Sequence, residues 1–83
     1  MITSGEIRAA RAYMGWTRQQ LADRAKVALN SVTRMEMEQV DPRLDTLMAV
    51  RRTFEKHGIE FLSVVESREG IRIRQKSDRA TKR

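Results

Sequence analysis

A chain of 83 residues with a formal charge of +6 and no cysteine is one domain with a modest core, so its stability margin is thin or supplemented by oligomerisation. The missing cysteines exclude disulfide staples and thiolate metal sites, and the absence of an apolar run of about 18 residues excludes a membrane-spanning helix. The charge favours a polyanionic partner, but residues 71–83 hold Arg72, Arg74, Lys76, Arg79, Lys82 and Arg83 against Asp78 alone, so the rest of the chain is nearly neutral and a motif must carry the functional case.

Met1 to Glu6 lack the basic start and apolar stretch of a signal peptide, which predicts a protein that stays in the cytoplasm. Thr3 and Glu6 have capping-box spacing, and Ile2 and Ile7 stand where a hydrophobic staple forms. The helix that follows carries Ile7, Ala10 and Met14 on one face, points Arg8 and Arg11 elsewhere, and stops at Gly15. The same grammar then repeats. Thr17 and Gln20 form a second capping box, Trp16 and Leu21 a second staple, and the second helix runs from about Arg18 to Ala25.

Lys26-Val27-Ala28 is a turn, and a third helix runs from Leu29 to Glu36 or Met37. Residues 38–42 are a loop, because Pro42 disfavours helical geometry at Asp41. The fourth helix, from about Leu44 to Lys56, has the stripe Leu44, Leu47, Val50 and Phe54, with Asp45 suiting its start and Lys56-His57-Gly58 its end. Ile59 to Val65 is rich in β-formers, Ile71-Arg72-Ile73-Arg74 alternates, and the segment between them is polar and contains Gly70, which predicts a β-hairpin. On a strand, Ile59, Phe61, Ser63 and Val65 share one face, with Leu62 and Val64 on the other. That two-sided pattern predicts a sheet shared across a dimer interface built from Ile59, Phe61, Leu62, Val64, Ile71 and Ile73. The fold class is therefore mainly α: a four-helix domain over residues 1–58, a hairpin and dimerisation element over 59–74, and a basic disordered tail over 75–83 that attracts phosphate.

Residues 18–36 form one unit. Leu21, Ala22, Ala25, Val27, Val32 and Met35 have the pattern of two helices packed around a tight turn, with Val32 and Met35 pinning the third helix by one face. Its other face presents Leu29, Asn30, Thr33, Arg34 and Met37. Asn can bond adenine N6 and N7 together, Arg guanine O6 and N7, and Leu or Thr can meet a thymine methyl. Lys26 stands where it could reach a phosphate. Met14, Met35, Met37 and Met48 read as packing residues, His57 as a helix cap, and Glu36 as one side of an intramolecular ion pair. No His/Asp/Glu cluster has ligand spacing and no glycine loop cradles phosphate, so the expectation is no enzyme, no metal and no cofactor.

The combination of Glu6 to Arg11, Gly15-Trp16-Thr17-Arg18-Gln19-Gln20-Leu21-Ala22, Ser31 to Glu36, Asp45-Thr46-Leu47 and Gly58-Ile59-Glu60-Phe61 resembles the Cro/repressor-type helix-turn-helix, or XRE, family over about residues 3–61. The resemblance implies a homodimeric bacterial regulator, a repressor on an inverted-repeat operator in double-stranded DNA. It implies that Leu29, Asn30, Ser31, Thr33 and Arg34 face bases, and that Arg18, Gln19 and Arg43 meet phosphate. Lys26 replaces a common turn glycine and Ala28 a common serine cap, each costing about 1 kcal/mol. Two other functions use the same fold: an antitoxin that binds a toxin through its hairpin and tail, and an antiactivator that binds a second regulatory protein without DNA.

Overall fold

The computed structural model describes residues 2–38 and 43–74. The loop residues 39–42 and the basic tail expected over 75–83 lie outside them. The elements run α1 (Ser4–Met14), α2 (Arg18–Ala25), α3 (Leu29–Met37), α4 (Leu44–Lys56), β1 (Ile59–Phe61), α5 (Leu62–Val65) and β2 (Ile71–Ile73).

Both capping boxes form. Thr3 Oγ1 accepts from the Glu6 amide at 3.1 Å and Glu6 Oε1 from the Thr3 amide at 2.9 Å, while Thr17 and Gln20 repeat the exchange at 3.0 and 2.8 Å. The staple residues Ile2, Ile7, Trp16 and Leu21 are all buried. α1 and α2 end alike. A left-handed residue, Gly15 in one case and Lys26 in the other, donates its amide back to Ala12 and Asp23, and the next amides, of Trp16 and Val27, return to Arg11 and Ala22.

The core joins α1–α4 to β1. Trp16 stacks on Phe54 at 5.4 Å between centroids, and Phe54 meets Phe61 edge-on at 5.9 Å, so one aromatic run ties the start of α2 to α4 and β1. Arg24 lies over Trp16, 4.7 Å from the ring, and covers its outer face. His57 caps α4 as expected. Its amide donates to the Phe54 carbonyl, and its Nδ1 lies 2.8 Å from the Thr53 carbonyl, which that shift leaves free. Of the residues read as packing, Leu44, Met37 and Met48 are exposed, because each stands on a helix face that no other described element covers.

The hairpin is antiparallel, with Ile59 opposite Ile73 and Phe61 opposite Ile71, but its first strand stops at Phe61 rather than Val65. Leu62 to Val65 form a helical turn instead. The ladder would continue with Leu62 opposite Gly70, and the Leu62 amide does donate to the Gly70 carbonyl at 2.9 Å. The reciprocal bond is lost because the Gly70 amide donates to Glu6 Oε2 at 3.0 Å, and the Ser63 amide goes to the same oxygen at 2.9 Å. A carboxylate from α1 thus terminates the sheet. Ile59 and Phe61 fill the subunit's own core at 0 and 1% exposure, so the expectation that they form a dimer surface is corrected. Leu62, Ile71 and Ile73 are half-buried and Val64 is exposed.

Candidate nucleic-acid interface

α3 is held from beneath and free above. Val32 and Met35 are buried against α1 and α2, the anchoring expected from their spacing. Glu36, one residue on, is also buried, and its carboxylate is neutralised from two helices. Arg11 Nε donates to Oε2 at 2.7 Å, Arg11 Nη2 to Oε1 at 2.9 Å, and Arg18 Nε to Oε1 at 3.1 Å. Burial pushes this carboxyl up, but the hydrogen bonds and charges of Arg11 and Arg18 outweigh it and hold it below the usual range. Hydrogen bonding to Glu36 raises Arg11 in turn, against its own partial burial. Arg11 Nη1 also reaches the Trp16 carbonyl at 3.1 Å, and Arg8 Nη1 donates to the Glu36 carbonyl at the end of α3. The sequence placed Arg8 and Arg11 away from the core. The structure turns both toward α3, and the only hint was that Glu36 needed a cation.

Above this anchor, Leu29, Asn30 and Arg34 are exposed, while Ser31 and Thr33 are half-buried. None of the polar side chains of Asn30, Ser31, Thr33 and Arg34 is hydrogen-bonded to another described residue. Asn30 and Arg34 are one helical turn apart and so share a face. Ala28 leads into α3 with extended backbone and no side-chain cap, as expected, which leaves the first amides of the helix open. Lys26 is left-handed at φ 60°, ψ 45°, and exposed beside this helix start.

The residues assigned to phosphate differ in their freedom. Arg18 gives its Nε to Glu36, a use not foreseen, and keeps 39% of its side chain exposed. Gln19 bonds Asp23 at 2.9 Å on the surface. Arg43, just before α4, pairs loosely with Asp45 at 3.5 Å, and both are highly exposed. Among the described residues no group of three or more His, Cys, Asp or Glu side chains could hold a metal, and no helix is long and apolar enough to cross a membrane.

Glu6 is the second group the sequence under-read. Beyond its capping box it accepts the Ser63 hydroxyl on Oε1 at 2.6 Å and the Ser63 and Gly70 amides on Oε2. Burial pushes this carboxyl up, yet the hydrogen bonds from Ser63, Thr3 and Gly70 together hold it below the usual range without any cation.

No curated protein matches the chain. The family model described as Helix-turn-helix matches residues 7–61, more than half of it, and those residues span α1 to β1 with the α2-turn-α3 unit at their centre. With this geometry and that match, the chain belongs to the Cro/repressor-type helix-turn-helix family of DNA-binding transcription regulators.

Proposed function

We propose that the protein is a sequence-specific repressor that binds double-stranded DNA as a homodimer on an inverted-repeat operator, with the outer face of α3 in the major groove. The observation that supports this reading is the division of α3. Val32, Met35 and Glu36 are locked into the subunit, while Leu29, Asn30 and Arg34 stand in solvent with the Asn and Arg hydrogen-bonding groups unspent. In this role Asn30 pairs with adenine and Arg34 with guanine, Leu29 and Thr33 lie against thymine methyls, and Ser31 bonds a base edge or nearby backbone. Gln19, Lys26 and Arg43 contact phosphate, and Arg18 contributes the guanidinium N–H groups that Glu36 leaves unused. A nine-residue recognition helix covers one half-site, which is the physical reason for two copies.

Selection of bound sites from random DNA, with the mass of the complex measured on the winner, tests the reading. The expected product is an inverted repeat with half-site centres about one helical turn, or a multiple of it, apart. Arg34→Ala should weaken binding to that site by about 1–3 kcal/mol and relax one base position, with unchanged helicity. No enrichment over random sequence would overturn the proposal.

A further inference from the structure

We infer that the face made by α4 and α5 is where two copies of this chain associate, with their α4 helices antiparallel about Met48. The inference rests on the homodimer reading above and gives it a location.

Seven large apolar side chains are exposed among the described residues. Four belong to this region: Leu44 at 66%, Met48 at 41%, Val64 at 36% and Val65 at 56%. Leu44, Met48 and Val64 also line a recess of about 120 Å³ with Ile2, Leu47 and the stem of Arg51. That is the scale of a cavity left by one large apolar side chain. Projections and recess therefore occupy one face, which is what an isologous two-fold contact requires. The Ser63 amide and hydroxyl are tied to the buried Glu6, so the neighbouring Val64 is set at the recess by part-buried hydrogen bonds.

Charge selects the occupant. On α4, Asp45 lies three residues before Met48 and Arg52 four after it, both on the same side of the Leu44–Met48 strip. A two-fold axis crossing α4 at Met48 sets each Arg52 opposite the Asp45 of the second copy, and each Arg51 stem opposite its Leu44. Among the described residues Arg52 has no acidic partner, and the one cation paired with Asp45 is Arg43, loosely and in the open, while the Thr46 amide donates to the same carboxylate at 2.8 Å. DNA would meet Asp45 and Glu55 here. The chain's own residues 75–83 offer Ala80 as their only apolar side chain, which suits neither the recess nor its strip. A second copy supplies both the apolar knobs and the matching charges.

The test is sedimentation of the full chain and its variants up to about 100 µM, a range in which weak self-association is visible. Wild type should be a dimer, and Met48→Glu should weaken association at least about tenfold, since an unpaired charge in an interface core is strongly opposed. Arg52→Asp should weaken it several-fold, and Arg52→Asp combined with Asp45→Arg should restore it. Leu44→Glu, at a more exposed position, serves where Met48→Glu lowers the circular dichroism signal. A monomeric wild type overturns the inference, whatever else fills the recess. So does a dimer indifferent to both glutamates, or a charge swap that fails to restore association. Arg34→Ala should weaken operator binding and relax one base position while keeping the dimer. If the wild type selects no DNA while its dimer obeys this pattern, the operator reading fails and the interface stands.

Discussion

Glu36 and Glu6 are equally buried, at 1% exposure each, and the two halves of the molecule satisfy them in opposite ways. Under α3, the carboxylate of Glu36 meets two guanidiniums, so charge is answered by charge. Under the hairpin, the carboxylate of Glu6 meets two long-range amides and a hydroxyl, so charge is answered by fixed dipoles. The difference teaches what each region can tolerate. An ion pair between long side chains holds two helices in place but keeps them separate elements. A carboxylate that takes backbone amides rewrites the backbone itself, and here it ends a strand and starts a helical turn.

The sharpest way to break the comparison is Arg11→Met. It leaves a buried carboxylate with one half-exposed cation, and the expected cost is about 3–5 kcal/mol in urea unfolding. Arg11→Lys should recover little of it, because one ammonium cannot replace the two parallel bonds of the guanidinium fork. A loss below about 1 kcal/mol would mean that Arg18 alone suffices.

Glu6→Gln comes next, at about 2–4 kcal/mol, because each oxygen of Glu6 accepts two hydrogen bonds and an amide NH₂ would face two donors. Its damage should be local. Hydrogen exchange should accelerate at Ser63 and Gly70 while the amides of α3 keep their protection, and uniform acceleration would show that the two regions unfold as one.

Acid should strain both sites in the same direction. Each carboxyl is held below its ordinary value of 4.5, so as pH falls the unfolded chain binds protons first. Their stabilisation is fully present above that value and is lost as pH drops through the lower folded values. The midpoint of thermal unfolding should therefore fall below about pH 4.5, and Glu6→Gln should make that fall shallower. An equal slope in the variant would remove Glu6 from the acid response.

The smallest effect belongs to Lys26→Gly. Lys26 sits at φ 60°, where a side chain costs about 1 kcal/mol against glycine. The substitution should stabilise the chain by that order and leave exchange at Ser63 and Gly70 relative to global unfolding unchanged. Destabilisation instead would show that the lysine side chain contributes to the turn.

Most of the helical unit was legible because its signals are local. Two capping boxes with their staples placed the starts of α1 and α2, and both are present with their reciprocal hydrogen bonds. Val32 and Met35 marked the buried face of α3 by spacing alone, and by the same geometry Asn30 and Arg34 were left outside. The pairing of Glu36 was anticipated, its partners were not, because Arg11 and Arg18 reach it across 25 and 18 residues of chain. The hairpin was legible in its two ends and not in its middle. Ser63 to Val65 have strand-forming character, but the amide that would extend the ladder, that of Gly70, is taken by the Glu6 carboxylate 64 residues away. Ile59 and Phe61 were correctly apolar and wrongly assigned to a partner, since alternation says that a face is buried and not against what.

What the amino-acid order alone determined here are the things that neighbours within about one helical turn decide: where helices begin, which stripe they bury, and which side chains of α3 remain free. Tertiary structure decided the partners of the two carboxylates, the length of β1 and the whereabouts of Ile59 and Phe61. The physical reason is range. Capping and periodicity act over three or four residues, whereas the donors that satisfy a buried charge come from wherever the folded chain brings them.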